Sequence, residues 1–142
     1  MSHSLIQTTP VTQVIWDAIV VGGGMVGAAT ALGLGQKGMK VLLLEKNAVE
    51  LEWNKESPYQ VRVSALTRAS EKILKNLHPW QGIKKRRYHP FTARHVGDEV
   101  TPGELHFSAQ DMGEPNLGYT IENNVIQAAL WEQVAACDNL EV

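Results

Sequence analysis

The sequence carries a glycine-rich stretch, GGGMVG, that begins at Gly22 and fits the pattern G-x-G-x-x-G. In this pattern Gly22 suits a tight turn, Gly24 lets a pyrophosphate approach the backbone, and Gly27 allows a helix to pack closely on a strand. Met25 and Val26 would then open the helix, where N–H groups and the positive end of the helix dipole attract phosphate. The motif therefore predicts a site for the diphosphate of a dinucleotide.

An acidic residue follows at the distance that such a site requires. Glu45 lies 18 positions after Gly27, directly after an apolar run, and its carboxylate is suited to accept hydrogen bonds from the ribose hydroxyls of an adenosine. Lys46, the next residue, is included in the predicted cofactor site. FAD and NAD are both bound by this combination, so the motif alone leaves both cofactors open.

The elements that must position these residues can be read from the apolar pattern. Ile15–Val21 and Val41–Leu44 predict two buried parallel strands, and Met25–Lys37 predicts the helix between them, ended by Gly38. This order predicts a right-handed βαβ unit, and therefore an α/β, Rossmann-like fold with a mainly parallel sheet. The face of the helix that packs on the sheet is expected to contain Val26, Ala29, Thr30, Gly33 and Leu34.

Further elements are predicted after Glu45. Residues 46–60 are polar and predict a loop, whereas residues 64–77 predict a helix with an apolar face. Residues 91–96 and 104–107 predict an antiparallel hairpin, interpreted as part of a substrate-side sheet.

The last elements predicted are a helix and the beginning of a strand. Asn123 is expected to be the N-cap of a helix through Ala136, with Ile126, Leu130 and Val134 on its apolar face. Residues 140–142 then predict the start of another strand. The expected organisation is a flexible tail over residues 1–14 and the N-terminal portion of a cofactor-binding domain over residues 15–142.

Composition and charge argue against several other functions. The formal net charge of −2 gives no general reason for nucleic-acid binding. The basic run Lys84–Arg87 is interpreted as a solvated helix end or loop, with an anionic headgroup or a cofactor phosphate as the alternative. The four tryptophans are interpreted as packing residues. The five histidines show no metal-binding spacing, so no metal site is predicted.

Without a signal sequence or a spanning run, a cytoplasmic location is expected.

Three stretches of the sequence resemble one family of flavoproteins. Residues 19–27, 61–66 and 117–127 look like the flavoprotein hydroxylases of ubiquinone biosynthesis, a group within the para-hydroxybenzoate hydroxylase type. Members of that group are several times longer and carry later cofactor motifs, so the resemblance implies that this chain is an N-terminal portion. The second and third stretches are more specific to the group than the glycines.

The resemblance implies a cofactor and a reaction. It favours FAD over NAD, places Arg62 beside the flavin, and places Asn123 and Gln127 on a helix that contacts the cofactor. From the residues alone, Arg62 is equally compatible with an ordinary surface ion pair. Members of the group reduce FAD with NAD(P)H and insert one oxygen atom of O₂ into an aromatic ring. The catalytic residues are not identified, and the alternatives are an NAD(P)-dependent dehydrogenase and a non-enzymatic nucleotide-binding module.

The resemblance also implies a substrate and a location. The expected substrate is a polyprenylated phenol or benzoquinol, which partitions into lipid, so peripheral attachment to the inner membrane is expected. Other enzymes of ubiquinone biosynthesis are implied as partners.

Overall fold

The computed structural model describes residues 14–97 and 103–142. Of the predicted flexible tail 1–14, only Val14 lies among the described residues, so the tail stays a prediction. In chain order the elements are β1 (Ala18–Val21), α1 (Met25–Gly35), β2 (Val41–Leu44), β3 (Val63–Thr67), α2 (Arg68–Asn76), α3 (Trp80–Lys84), β4 (His89–Phe91), β5 (Ala93–Gly97), β6 (Glu104–Ser108), β7 (Gly118–Glu122), α4 (Asn123–Ala135) and β8 (Leu140–Glu141).

A parallel sheet with the strand order β1-β2-β8 carries the glycine-rich turn. Strands β1 and β2 pair from Ala18 opposite Val41 to Val21 opposite Leu44, and α1 connects them. Strand β8 pairs in parallel with the other edge of β2. The predicted βαβ unit and the predicted strand at residues 140–142 are therefore confirmed.

The face that α1 presents to the core differs from the prediction. The residues of α1 buried in the core are Ala28, Ala31, Leu32 and Gly35, whereas Val26 is 80% exposed. Since α1 is apolar or small around its whole circumference, the apolar pattern could not identify the packed face. Helix α1 packs against α4, in which the predicted apolar residues Ile126, Leu130 and Val134 are buried.

A second sheet is antiparallel and has the order β3-β7-β4. The predicted helix over residues 64–77 is wrong at its beginning, because Val63–Thr67 forms β3 and α2 starts only at Arg68. All five residues of β3 pair with β7, more than fifty residues later in the chain. Thr67 then caps α2 by accepting a hydrogen bond from the N–H of Ser70.

Two other predictions concern the hairpin and the start of α4. Strands β5 and β6 pair antiparallel, with His95 opposite His106, which confirms the predicted hairpin from Ala93 onward. Its predicted first residue, Phe91, instead belongs to β4 and pairs with Gly118 of β7. The predicted N-cap of α4 is displaced by one residue: Glu122 is the cap, in an extended conformation, and Asn123 is the first helical residue. The cause is that β7 continues to Glu122 and leads directly into the helix.

The basic run Lys84–Arg87 is only partly solvated. Lys84 and Lys85 are exposed as predicted, but the side chains of Arg86 and Arg87 are only 9% and 17% exposed and form ion pairs with Glu132 and Glu122. The interpretation of the whole run as a solvated segment is therefore wrong for its two arginines.

One face of the parallel sheet is open to solvent in the described residues. The side chains of Ile19 and Val21 in β1 and of Leu44 in β2 are exposed, so β1 is not the fully buried strand that its sequence predicted. Among residues 14–97 and 103–142, no helix is long and apolar enough to cross a bilayer.

Candidate functional site

The glycine-rich turn has the geometry that its motif predicted. Gly22 has a φ of +97°, a conformation that favours glycine, and its N–H donates to the carbonyl of Leu44 over 2.7 Å. A Cβ at Gly27 would lie 1.8 Å from the carbonyl oxygen of Gly22, so the first turn of α1 can approach the glycine turn only without a side chain there. The turn and α1 are thus in close contact, as the motif requires.

The N-terminus of α1 is open toward the turn. Gly24 is its N-cap, no side chain among the described residues caps the helix, and the first turn contains no acidic residue. A Cβ at Gly24 would meet no atom of the described residues within 4 Å, so these residues leave free space above the backbone at this point. The N–H groups of Met25 and Val26 belong to the first helical turn, which leaves its donors without partners inside the helix. This arrangement suits the binding of a phosphate group.

Glu45 is held in place by the backbone on both of its oxygens. Oε2 accepts from the N–H of Gly23 over 2.5 Å, and Oε1 accepts from the N–H of Asn47 over 3.0 Å. The N–H of Asn47, and next that of Gly23, hold the pKa of the Glu45 carboxyl below its usual value. Each carboxylate oxygen can accept a second hydrogen bond, so the group remains able to bind ribose hydroxyls.

Helix α4 contacts the same turn through two of its side chains. The carbonyl of Gly23 accepts from the amide of Gln127 over 3.1 Å and from the indole N–H of Trp131 over 2.7 Å. Gly23 is buried, and a Cβ at this position would lie 2.4 Å from the Trp131 ring. The peptide groups of Gly23 therefore link the glycine turn to β2 through Glu45 and to α4 through two side chains.

Trp131 is a residue of this site that the sequence analysis assigned only to packing. It follows Gln127 by four positions on α4, and Gln127 follows Asn123 by four. Residues with this spacing lie on one face of a helix. This spacing from Gln127 is the signal in the sequence that could have placed Trp131 beside the predicted site.

Arg62 and Asn123 lie together, beside the start of α4. The N–H of Asn123 donates to the carbonyl of Arg62 over 3.0 Å, and the Asn123 side chain accepts from the hydroxyl of Ser64 over 2.7 Å. The side chain of Arg62 is exposed, as is that of Lys46 next to Glu45. Contacts of these side chains with a cofactor stay a prediction.

A cavity of about 300 Å³ adjoins Glu45. Its lining joins the end of β2 and the loop that follows it to the first turns of α4. The lining residues are Glu45, Asn47, Ala48, Val49, Glu50, Asn124 and Gln127. Two predicted cofactor residues, Glu45 and Gln127, thus share one cavity beside the glycine turn.

Comparison with known proteins supports the predicted cofactor class. Residues 17–80 match the family model described as FAD dependent oxidoreductase. These residues include the glycine turn, Glu45 and Arg62. FAD is therefore the cofactor of the matching family, which confirms the choice of FAD over NAD.

Three similar curated proteins have names that refer to ubiquinone or a ubiquinol. The chain is 39% identical over 120 residues to 3-demethoxyubiquinol 3-hydroxylase of Escherichia coli, covering 84% of this chain and 30% of the relative. It is 33% identical over 129 residues to ubiquinone biosynthesis monooxygenase COQ6 of Homo sapiens, covering 88% and 27%. It is 34% identical over 130 residues to ubiquinone hydroxylase UbiM of Neisseria meningitidis, covering 89% and 28%. The chain thus spans less than a third of the length of these relatives.

Solved structures show the same fold. The p-nitrophenol 4-monooxygenase PnpA of Pseudomonas putida superposes with a TM-score of 0.60 at 23% identity, covering 89% of this chain and 30% of that one. The chondrochloren halogenase CndH, described as an FAD-dependent variant, gives 0.64 at 21% identity, covering 89% and 28%. The predicted α/β fold is therefore confirmed, and in sequence the chain is similar to two ubiquinone-related hydroxylases and the monooxygenase COQ6 over less than a third of their length.

Proposed function

We propose that the chain supplies the adenosine and pyrophosphate part of the FAD site in an aromatic-ring hydroxylase of ubiquinone biosynthesis. This proposal is carried by the two hydrogen bonds of Gly23, whose N–H donates to Glu45 and whose carbonyl accepts from Trp131. These bonds align the open N-terminus of α1 with the Glu45 carboxylate. Three relatives that are 33 to 39% identical carry hydroxylase or monooxygenase names. Neither a dehydrogenase nor a non-enzymatic module has comparable support.

Each predicted residue has a role in this proposal. The pyrophosphate lies over Gly22, Gly24 and the N–H groups of Met25 and Val26, where the helix dipole and free donors favour negative charge. The adenosine ribose binds Glu45, and the exposed Lys46 beside it is available to a phosphate.

The remaining predicted residues act on the cofactor's other side or through the backbone. Arg62 and Asn123, joined by a backbone hydrogen bond, face the ribityl and ring half. Gln127 acts mainly through its bond to the Gly23 carbonyl, and Gly27 permits the close contact of helix and turn. When bound, FAD supplies electron transfer from NAD(P)H and the activation of O₂.

The proposed substrate is a polyprenylated phenol or benzoquinol. Its prenyl chain would partition into lipid, so the enzyme is proposed to work in the cytoplasm, at the surface of the inner membrane, where other enzymes of the same biosynthesis would be its neighbours. Release of the protein from membranes by a high-salt wash is the expected result, whereas a protein that stays in the membrane after this wash would contradict peripheral attachment.

Purification from the complete reading frame tests the proposed activity. We expect copurifying flavin absorbance, and NAD(P)H oxidation that depends on a polyprenylated phenol or benzoquinol and yields a hydroxylated product. The Gly24→Ala variant serves as the control, because its methyl group occupies the proposed phosphate position without meeting protein atoms. A bound nicotinamide nucleotide without flavin would favour the dehydrogenase instead.

A further inference from the structure

The segment that joins the two halves of the proposed FAD site contains no helix or strand. Residues 46–62 run from the end of β2, beside Glu45, to the start of β3, beside Arg62. Such a segment has many accessible conformations unless side chains hold it. Its position therefore depends on contacts with the rest of the fold.

Arg87 holds the middle of this segment. Its guanidinium lies 5.4 Å from the ring centroid of Trp53 and 4.2 Å from that of Tyr59, and Nη1 donates to the carbonyl of Ser57 over 2.9 Å. Two aromatic rings and one carbonyl of the segment thus contact a single side chain. A planar guanidinium can stack and donate at the same time, which an ammonium group cannot do.

Glu122 anchors Arg87 and the end of the segment together. Nε of Arg87 lies 3.1 Å from Oε2 of Glu122, as an ion pair without the alignment of a good hydrogen bond. Oε1 of Glu122 accepts from the N–H of Gln60 over 2.8 Å. The Glu122 side chain is only 5% exposed, so removing Arg87 would leave a buried carboxylate without its counter-charge.

The position of Glu122 connects this ion pair to the proposed cofactor residues. Glu122 is the N-cap of α4, and the next residue, Asn123, donates its N–H to the carbonyl of Arg62. The bonds from Glu122 to Gln60 and from Asn123 to Arg62 therefore fix neighbouring positions at the end of the segment. They set where the backbone of Arg62 lies.

Arg86 makes a matching contact nearer the start of the segment. Its Nη2 donates to Oε1 of Glu132 over 2.6 Å and to the carbonyl of Leu51 over 3.2 Å. Glu132 follows Trp131 on α4. Arg86 thus ties the segment to the helix that holds the glycine turn.

We propose that Arg86 and Arg87 are positioning residues that clamp segment 46–62 and so set the spacing between Glu45 and Arg62 for FAD. This inference rests on the proposed function. The clamp explains why two arginines of a basic run are turned inward while Lys84 and Lys85 remain exposed.

Limited proteolysis tests the clamp in protein made from the complete reading frame and stripped of flavin. Lys55 lies exposed inside the segment, and Lys72 lies exposed in α2 as a reference. We expect Arg87→Ala to raise trypsin cleavage after Lys55 about tenfold, with cleavage after Lys72 changed less than about twofold, because only the segment opens. Lys85→Ala, a matched loss of charge in the same run, should change neither rate.

FAD titration of the same variants tests the link to the cofactor. Arg87→Ala should weaken FAD binding about tenfold, because a displaced segment should cost FAD about one charge-assisted interaction with Glu45 or Arg62. Lys85→Ala should bind FAD as wild type does. Arg87→Lys keeps the charge on Glu122 but loses the stacking, so it should show a partial defect in both assays even if Arg87→Ala fails to fold.

Three results would overturn the clamp. The first is an equal rate of cleavage after Lys55 in Arg87→Lys and in wild type. The second is a rise in cleavage after Lys72 as large as that after Lys55 in every folded Arg87 variant. The third is faster cleavage after Lys55 in an Arg87 variant whose FAD affinity is unchanged. Absence of FAD binding by wild type would instead overturn the proposed function, and cleavage after Lys55 would still show whether the segment is clamped.

Discussion

At the scale of single residues, the glycines differ in how much room each leaves for a side chain. Gly27 has no room for a side chain because the carbonyl of Gly22 lies in the way, whereas Gly24 faces open space. A side chain at Gly23 would meet Trp131 and Glu45. The structure therefore separates a glycine that the fold requires from one that a ligand would require.

Alanine substitutions should separate these two requirements. Gly27→Ala should lower the free energy of unfolding by about 3 kcal/mol or more, because the added methyl group overlaps a backbone atom. Gly24→Ala should have a free energy of unfolding close to that of wild type but lose most of its FAD affinity. Chemical denaturation combined with FAD titration measures both effects, and a Gly24→Ala variant with normal affinity would argue against phosphate binding at this turn.

The depressed pKa of Glu45 predicts a pH dependence of stability. Because its folded pKa lies below the ordinary value near 4.3, the stabilisation is complete above that value and is lost as the pH falls through the folded pKa. Wild type and Glu45→Gln should thus differ by a constant free energy of unfolding above about pH 5, and the difference should shrink at lower pH. A difference that grows on acidification would contradict the assigned hydrogen bonds.

At the scale of elements, local patterns predicted the βαβ unit, and long-range pairing decided most of what they missed. β1, α1 and β2 each have an apolar run or a glycine at the required place, so the glycine turn and Glu45 could be located from sequence. β3 could not, since its five residues are defined by pairing with β7 across the chain. The contact between Trp131 and Gly23 joins residues 108 positions apart, so only its helical spacing from Gln127 was visible.

The hydrogen bond from α4 to the glycine turn makes a prediction for Trp131. Trp131→Phe removes the indole N–H but keeps an aromatic ring, so stability should fall by about 0.5–1.5 kcal/mol. FAD affinity should fall as well, because the Gly23 carbonyl loses one of its two side-chain donors. Trp16→Phe is a matched control outside this contact, and equal FAD affinity in the two variants would remove Trp131 from the site.

At the scale of the whole molecule, the described residues reach mainly one half of the proposed cofactor. In the proposed site, the glycine turn, Glu45 and the adjoining cavity would serve the adenosine and pyrophosphate side. Ile19, Val21 and Leu44 leave one face of the parallel sheet exposed, and the chain spans 27 to 30% of the length of its relatives. An exposed apolar sheet face of this kind favours association with another protein surface.

Expression of the 142 residues alone should therefore give a protein that associates and binds FAD weakly. Association entropy costs about 4–15 kcal/mol regardless of how many contacts form, so losing part of the contacts can remove net binding. Flavin fluorescence during titration measures the affinity, and light scattering measures association. Saturable submicromolar FAD binding by a monomer of this length would show that the described residues suffice.

The most direct test of the proposed cofactor site is a crystal structure of the protein with FAD or ADP. We expect the pyrophosphate within hydrogen-bond distance of the N–H groups at the start of α1, over Gly22–Gly27, and the adenosine ribose within hydrogen-bond distance of Glu45. Phosphates bound elsewhere, or a ribose with no contact to Glu45, would contradict it.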